Sequence, residues 1–103
     1  AEVISALPAD RPVLVDCLTL WLSNAMLADR DLAAACAALL AALEKTAPPV
    51  VCVSNEVGLG IVPDNALARR FRDAQGTLNQ RVAAQAGRVV LMTAGLPLVL
   101  KGA

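Results

Sequence analysis

Three short runs of apolar residues divide the chain, and each predicts a β-strand that is buried on both faces. The runs cover Pro12 to Cys17, Val50 to Ser54 and Arg88 to Thr93. Val, Leu, Cys and Met follow one another in them with almost no polar alternation, which is typical of a parallel sheet covered by helices on both sides. A shorter run, Leu98 to Lys101, indicates a last strand.

Helical patterns lie between these runs. Leu18 to Leu27 predicts a helix directly after the first strand, with Trp21 and Leu22 facing the core. A second helix is predicted from Asp31 to Thr46, because its acidic start and Lys45 near its end suit the helix dipole. The apolar face of this second helix consists of Leu32, Cys36, Leu39, Leu40 and Leu43.

A third helix is predicted to begin near Pro63 and Asp64 and to end at Gly87. Its apolar face consists of Leu67, Phe71, Ala74, Leu78 and Val82. Gly76 lies inside this helix at a cost of about 1 kcal/mol relative to alanine, and we expect close packing there rather than a break. The order of strands and helices predicts a layered α/β domain with right-handed crossovers.

Composition and charge limit the kinds of partner. Apolar residues make up 57% of the chain and aromatic residues only 2%, which indicates an aliphatic core and a surface covered by further polypeptide or by another subunit. Nine basic and nine acidic residues cancel, so we expect neither nucleic acid nor an anionic membrane as partner. The longest apolar run, Leu32 to Leu43, has 12 residues, whereas a membrane span needs about 20. We find no secretion signal and expect a cytoplasmic protein.

The cysteines and the absence of histidine exclude several kinds of site. Cys17, Cys36 and Cys52 are predicted to be buried, reduced thiols, since no histidine is present to complete a zinc set. A nucleophile activated by histidine is likewise excluded within this chain. The chain also contains no G-x-x-x-x-G-K-[ST] phosphate loop.

Polar groups that end the first two strands are the candidate site residues. Asp16 follows Val-Leu-Val, and Asn55 with Glu56 closes the second strand. In an open α/β sheet, ligands bind outside the carboxyl ends of the strands. An acidic residue at such a position often holds Mg²⁺ in phosphate-transfer enzymes, directly or through water. The alternative is that Asp16 is only a helix cap or a turn residue.

Two other segments leave the same choice open. The glycines of Gly58-Leu59-Gly60 permit a loop that contacts phosphate, or only a turn. The arginines at 69, 70 and 72 are able to bind phosphate, but helical pairs such as Arg69 with Asp73 favour a solvated face.

Three segments together resemble the bifunctional adenosylcobinamide kinase and adenosylcobinamide-phosphate guanylyltransferase family of cobalamin biosynthesis. They are Val-Asp-Cys-Leu-Thr-Leu-Trp-Leu-Ser-Asn from position 15, Ser-Asn-Glu-Val-Gly-Leu-Gly-Ile-Val-Pro from position 54, and Leu-Ala-Arg-Arg-Phe-Arg-Asp-Ala-Gln-Gly-Thr-Leu-Asn-Gln-Arg-Val-Ala from position 67. The resemblance implies that residues 1–103 form the carboxyl-terminal part of one P-loop NTPase-like domain. Such a domain is a three-layer, RecA-like α/β fold with a mostly parallel sheet, and its amino-terminal strands and phosphate loop would lie ahead of these residues.

The resemblance also implies a reaction. The family phosphorylates adenosylcobinamide with GTP or ATP, then transfers GMP from GTP through a histidine to give adenosylcobinamide-GDP. By this resemblance Asp16 orders Mg²⁺, Leu20 lines the guanine nucleotide pocket, and Asn55 and Glu56 sense phosphate or position a water. A homotrimer is implied as well. Because the phosphate loop and the histidine would lie upstream, this chain alone is expected to be inactive.

Two alternatives stay open on the sequence alone. One is a stand-alone, non-catalytic α/β module that binds a nucleotide or a partner subunit through an exposed apolar sheet. The other is an unrelated small α/β fold in which Asp16 merely caps a helix.

Overall fold

Strands and helices alternate along the part of the chain that the structure describes. This structure, a computed structural model, describes residues 11–28, 30–46, 49–56, 60 and 64–102. Its elements are β1 (Val13–Asp16), α1 (Leu18–Leu27), α2 (Leu32–Lys45), β2 (Val50–Val53), α3 (Ala66–Gln85), β3 (Val89–Thr93) and β4 (Leu96–Lys101). None of these helices is long and apolar enough to cross a membrane. The α/β alternation predicted from the sequence is confirmed.

Side-chain caps fix the starts of the two longer helices. The carboxylate of Asp31 accepts a hydrogen bond from the Ala34 amide (3.2 Å) and caps α2. The helix therefore begins at the position predicted from the acidic residue at its start. The side chain of Asn65 accepts from the Ala68 amide (2.7 Å) and begins α3. This cap lies slightly beyond the predicted start at Pro63, a residue that lies outside the described ranges.

The strands form two small sheets instead of the one mostly parallel sheet expected. β1 pairs with β2 in parallel, whereas β3 pairs with β4 as an antiparallel hairpin. The hairpin turns at Ala94 and Gly95, whose φ angles are 52° and 75°. Two successive positive φ values give a turn whose twist matches the paired strands. The last strand therefore folds back on β3 and begins at Leu96, earlier than predicted.

The strands are also not buried on both faces, and that prediction is wrong for the described residues. Val15 and Cys52 pack against the helical core, but Leu14 is 64% exposed and Val51 is 61% exposed. Neighbouring residues of a strand point to opposite faces, so the helices cover only one face of the β1–β2 sheet. The other face presents a row of apolar side chains.

The core lies between the three helices and the covered face of this sheet. Its buried members are Leu18, Leu22, Cys36, Leu39, Ala42 and Leu78. The predicted apolar faces of the helices are confirmed, with one exception. Leu67 is 56% exposed because it lies in the first turn of α3, beyond the reach of the core cluster.

Gly76 lies in the interior of α3, where we expected close packing. That expectation is wrong, because a methyl group at this position would meet no atom of another element within 4 Å. Replacing Gly76 by alanine is therefore expected to raise the free energy of unfolding by about 1 kcal/mol. Urea denaturation measures this change, and a loss of stability would show that an unseen neighbour needs the space.

The three cysteines are free thiols. Cys36 is buried, while Cys17 and Cys52 are half-buried. Burial raises the pKa of Cys36 above its ordinary value, with partial opposition from the positive charge of Arg81, and burial alone raises the pKa of Cys52. Both thiols are therefore neutral at pH 7 and serve as packing groups.

Candidate functional site

The parallel pairing of β1 and β2 brings the ends of both strands to one edge of the sheet. Asp16, the last residue of β1, lies opposite Val53, the last residue of β2. Ser54 and Asn55 follow directly at this edge. The strand-end residues predicted from the sequence are thus neighbours in the fold, where open α/β sheets bind their ligands.

Asp16 does not cap the helix that follows it. The N-cap of α1 is Cys17, and no side chain there caps the helix. Asp16 is exposed at the strand end. The interpretation of Asp16 as a helix cap is therefore wrong, and its carboxylate is accessible to a ligand.

Asn55 is held by its backbone from two directions. Its amide donates a hydrogen bond to Thr19 Oγ1 in the first turn of α1 (2.9 Å). Its carbonyl oxygen accepts one from Asn79 Nδ2 on α3 (3.1 Å). Leu20, next to Thr19, is 59% exposed, and Glu56, next to Asn55, is exposed as well. The four predicted residues thus lie around one junction of β1, β2 and α1, while their roles stay predictions.

A cluster of polar side chains connects α3 to the end of β2. Gln75 Nε2 donates to Ser54 Oγ and to Asn79 Oδ1, both at 2.8 Å. Ser54 Oγ in turn donates to Asn79 Oδ1 (2.6 Å). Together with the Asn55 contacts, these bonds join the end of β2 to two helices.

Gln75 is fully buried, with 0% of its surface exposed. Its Oε1 atom has no hydrogen-bond partner among the described residues, and such a buried acceptor costs about 1 to 3 kcal/mol. Sequence reasoning missed this residue. The available signal was its position, four residues after Phe71 and three before Leu78, which places an amide on the apolar face of α3.

The described residues of this edge fit a metal ion whose coordination is completed by substrate phosphates and water. Within the described residues, no group of three or more His, Cys, Asp or Glu side chains is arranged to hold a metal. Mg²⁺ is commonly held by one or two carboxylates together with substrate phosphates and water. The exposed carboxylate of Asp16 fits that arrangement, in which phosphates and water complete the coordination.

Two of the three predicted arginines line a groove, and the lining of this groove includes none of Asp16, Leu20, Asn55 and Glu56. Arg69 and Arg70 line an open groove of about 690 Å³ between the start of α2 and the first half of α3. Asp73, in the same groove, pairs with Arg72 at 2.8 Å. Gly60 is exposed, whereas the rest of the predicted glycine loop, residues 58–59, lies outside the described residues.

Comparison with known proteins gives a family match and several relatives. A family described as "Cobinamide kinase / cobinamide phosphate guanyltransferase" matches residues 1–100. The bifunctional adenosylcobalamin biosynthesis protein CobP of Pseudomonas aeruginosa is 45% identical over 104 residues, covering 99% of this chain and 60% of its own length. The proteins named CobU of Salmonella typhimurium and Escherichia coli are 35% and 36% identical, covering 96% and 86% of this chain and 63% and 58% of their own lengths. The chain thus spans about three fifths of these curated relatives.

Proposed function

Because this chain belongs to the cobinamide kinase and cobinamide phosphate guanyltransferase family, we propose that it supplies the carboxyl-terminal part of such a bifunctional enzyme. The enzyme phosphorylates adenosylcobinamide and then transfers GMP from GTP to the new phosphate, giving adenosylcobinamide-GDP. Neither a histidine nor a phosphate loop occurs in these 103 residues. Both steps therefore need groups from further polypeptide, and the isolated chain is inactive.

One observation of the structure supports particular residues as the site: the carboxyl ends of β1 and β2 meet at one edge, with Asp16 opposite Val53. Asp16 would hold Mg²⁺, directly or through water. The chemistry supplied by a bound Mg²⁺ would be positive charge that offsets the charge on the phosphate groups. Leu20 offers exposed apolar surface to the guanine ring. Asn55 and Glu56 would sense phosphate or position a water.

In the proposed reaction these residues align the reacting groups and supply charge. In the first step the substrate hydroxyl oxygen bonds to the γ-phosphorus, the bond from that phosphorus to the nucleoside diphosphate breaks, and the hydroxyl proton is released to solvent. In the second step GMP passes to the cobinamide phosphate oxygen, and pyrophosphate is released from GTP. Phosphoryl transfer depends mainly on alignment and electrostatic stabilisation, which an exposed carboxylate and a fixed strand end are suited to provide.

A transfer assay with the full gene product that contains this chain tests the proposal directly. Incubated with Mg²⁺, adenosylcobinamide and γ-labelled GTP or ATP, the gene product is expected to place the label on the corrinoid. With α-labelled GTP it is then expected to give labelled adenosylcobinamide-GDP. Nucleotide binding without either transfer would support the stand-alone binding module instead and would contradict the proposal.

The assembly and location implied by the resemblance stay predictions. We propose a homotrimer in the cytoplasm. Sedimentation of the gene product measures its mass, and cell fractionation determines its location.

A further inference from the structure

We propose that Thr19 and Asn79 are positioning residues that clamp the Asn55 peptide from both sides, with Gln75 and Ser54 fixing the orientation of Asn79. This inference rests on the proposed function and deepens it. It assigns a role in the reaction to helix residues that act through the backbone of Asn55.

The clamp acts where the backbone leaves the sheet. β2 ends at Val53, and Asn55 is exposed. Exposed loop backbone ordinarily moves on timescales from nanoseconds to microseconds. Here the Asn55 amide is bonded to Thr19 and its carbonyl to Asn79. Since both backbone polar groups of Asn55 are held, the directions of its side chain and of the following Glu56 are restricted.

The orientation of the Asn79 amide is decided by its neighbours. Its Oδ1 accepts from both the Ser54 hydroxyl and Gln75 Nε2. Turning the amide over would set its NH₂ group against the NH₂ of Gln75 and its oxygen against the Asn55 carbonyl oxygen, so the bonds to Gln75 and to Asn55 would both be lost. Asn79 Nδ2 must therefore face the Asn55 carbonyl. Buried Gln75 and half-buried Ser54 thus select the amide orientation that completes the clamp.

The cost of Gln75 points to a role beyond stability. A fully buried amide with one unpaired oxygen is more expensive than an apolar side chain of similar volume. Local features that oppose stability tend to occur at functional sites. Gln75 reaches the candidate site through Ser54 and Asn79 alone among the contacts described.

The test compares four variants of the full gene product. Thr19→Val and Asn79→Ala each remove one half of the clamp, and Thr19→Ser keeps the hydroxyl. Gln85→Ala is the matched control, because Gln85 is also an α3 amide that donates to a backbone carbonyl, that of Leu40 at 2.9 Å, away from the candidate site. We expect Thr19→Val and Asn79→Ala to lower kcat about 10- to 100-fold with little change in the KM for the triphosphate. Thr19→Ser and Gln85→Ala are expected to keep kcat close to that of the wild type.

A second readout does not depend on activity. Hydrogen exchange at the Asn55 amide is expected to accelerate in Thr19→Val and to stay unchanged in Gln85→Ala. An unchanged exchange rate in Thr19→Val overturns the clamp, and so does a kcat loss that follows thermal stability across all four variants. If the wild type catalyses neither transfer, the proposed function and its positioning role fail, while the exchange data still decide whether the clamp exists.

Discussion

Replacing Gln75 by glutamate is expected to lower the free energy of unfolding by about 3 to 5 kcal/mol at pH 8, the typical result of leaving a charge buried and unpaired. Gln75 is completely buried, and it is the donor in its bonds to Ser54 and Asn79. An ionised carboxylate has no proton to donate, so both bonds are lost and a charge is desolvated in their place.

The same substitution makes stability depend on pH. Burial raises the pKa of the new carboxyl in the folded state above its unfolded value of about 4.3. The protonated form is neutral and is able to donate a hydrogen bond. The variant therefore approaches wild-type stability below about pH 4.3 and loses stability as pH rises through the folded-state pKa.

Urea denaturation of the full gene product at pH 5 and pH 8 measures this effect. Gln80→Glu is the matched control, because Gln80 lies on the same helix but is exposed. We expect the difference between the two variants to widen from pH 5 to pH 8. Equal stability of the two variants at both pH values would show that position 75 is hydrated and not buried.

Replacing Asp16 by asparagine is expected to lower kcat for phosphate transfer about 10²- to 10³-fold, the usual size of losing one preorganised charge contact in the transition state. The side chain keeps its shape but loses its charge. Because Asp16 is exposed and is not the cap of α1, the free energy of unfolding is expected to change little.

Initial rates at increasing Mg²⁺ concentration distinguish a metal role from a general loss of charge. The variant is expected to need more Mg²⁺ for half-maximal rate. Asp73→Asn serves as control, since it removes an exposed carboxylate that pairs with Arg72 on α3, and it is expected to leave the rate unchanged. A wild-type rate and Mg²⁺ dependence in Asp16→Asn would remove Asp16 from the site.

The helices could be predicted from the sequence because their signals are local. Leu18 to Leu27 was predicted as a helix with the bounds observed, and α2 lies within one residue of its prediction at each end. The first three strands lie within one residue of their predictions at each end, whereas β4 begins two residues before its predicted start. Apolar periodicity and terminal residues depend on a few neighbours along the chain, so they are readable without the fold.

The arrangement of the sheets could not be predicted in the same way. Continuous apolar runs indicate strands that require cover, but they do not identify the covering element. In the structure Leu14 and Val51 are exposed, although the apolar runs that contain them predict cover on both faces of the sheet. The antiparallel hairpin depends on a turn at Ala94 and Gly95, and alanine at a positive φ is not among the usual hairpin signals.

The site shows the same division. The strand-end rule located Asp16 and Asn55, since it needs only strand positions and a parallel pairing. It missed Thr19, Gln75 and Asn79, which lie on helices and meet Asn55 only through tertiary packing. A glutamine on an apolar helix face was the single cue available beforehand.

Hydrogen exchange of the full gene product, compared with and without Mg²⁺ and GTP, shows whether the joined strand ends bind the nucleotide. Bound nucleotide is expected to slow exchange in residues 16–20 and 54–56, at the joined ends of β1 and β2, and to leave the β3–β4 hairpin unaffected. Protection confined to the groove beside Arg69 and Arg70, with none at the strand ends, would contradict that expectation.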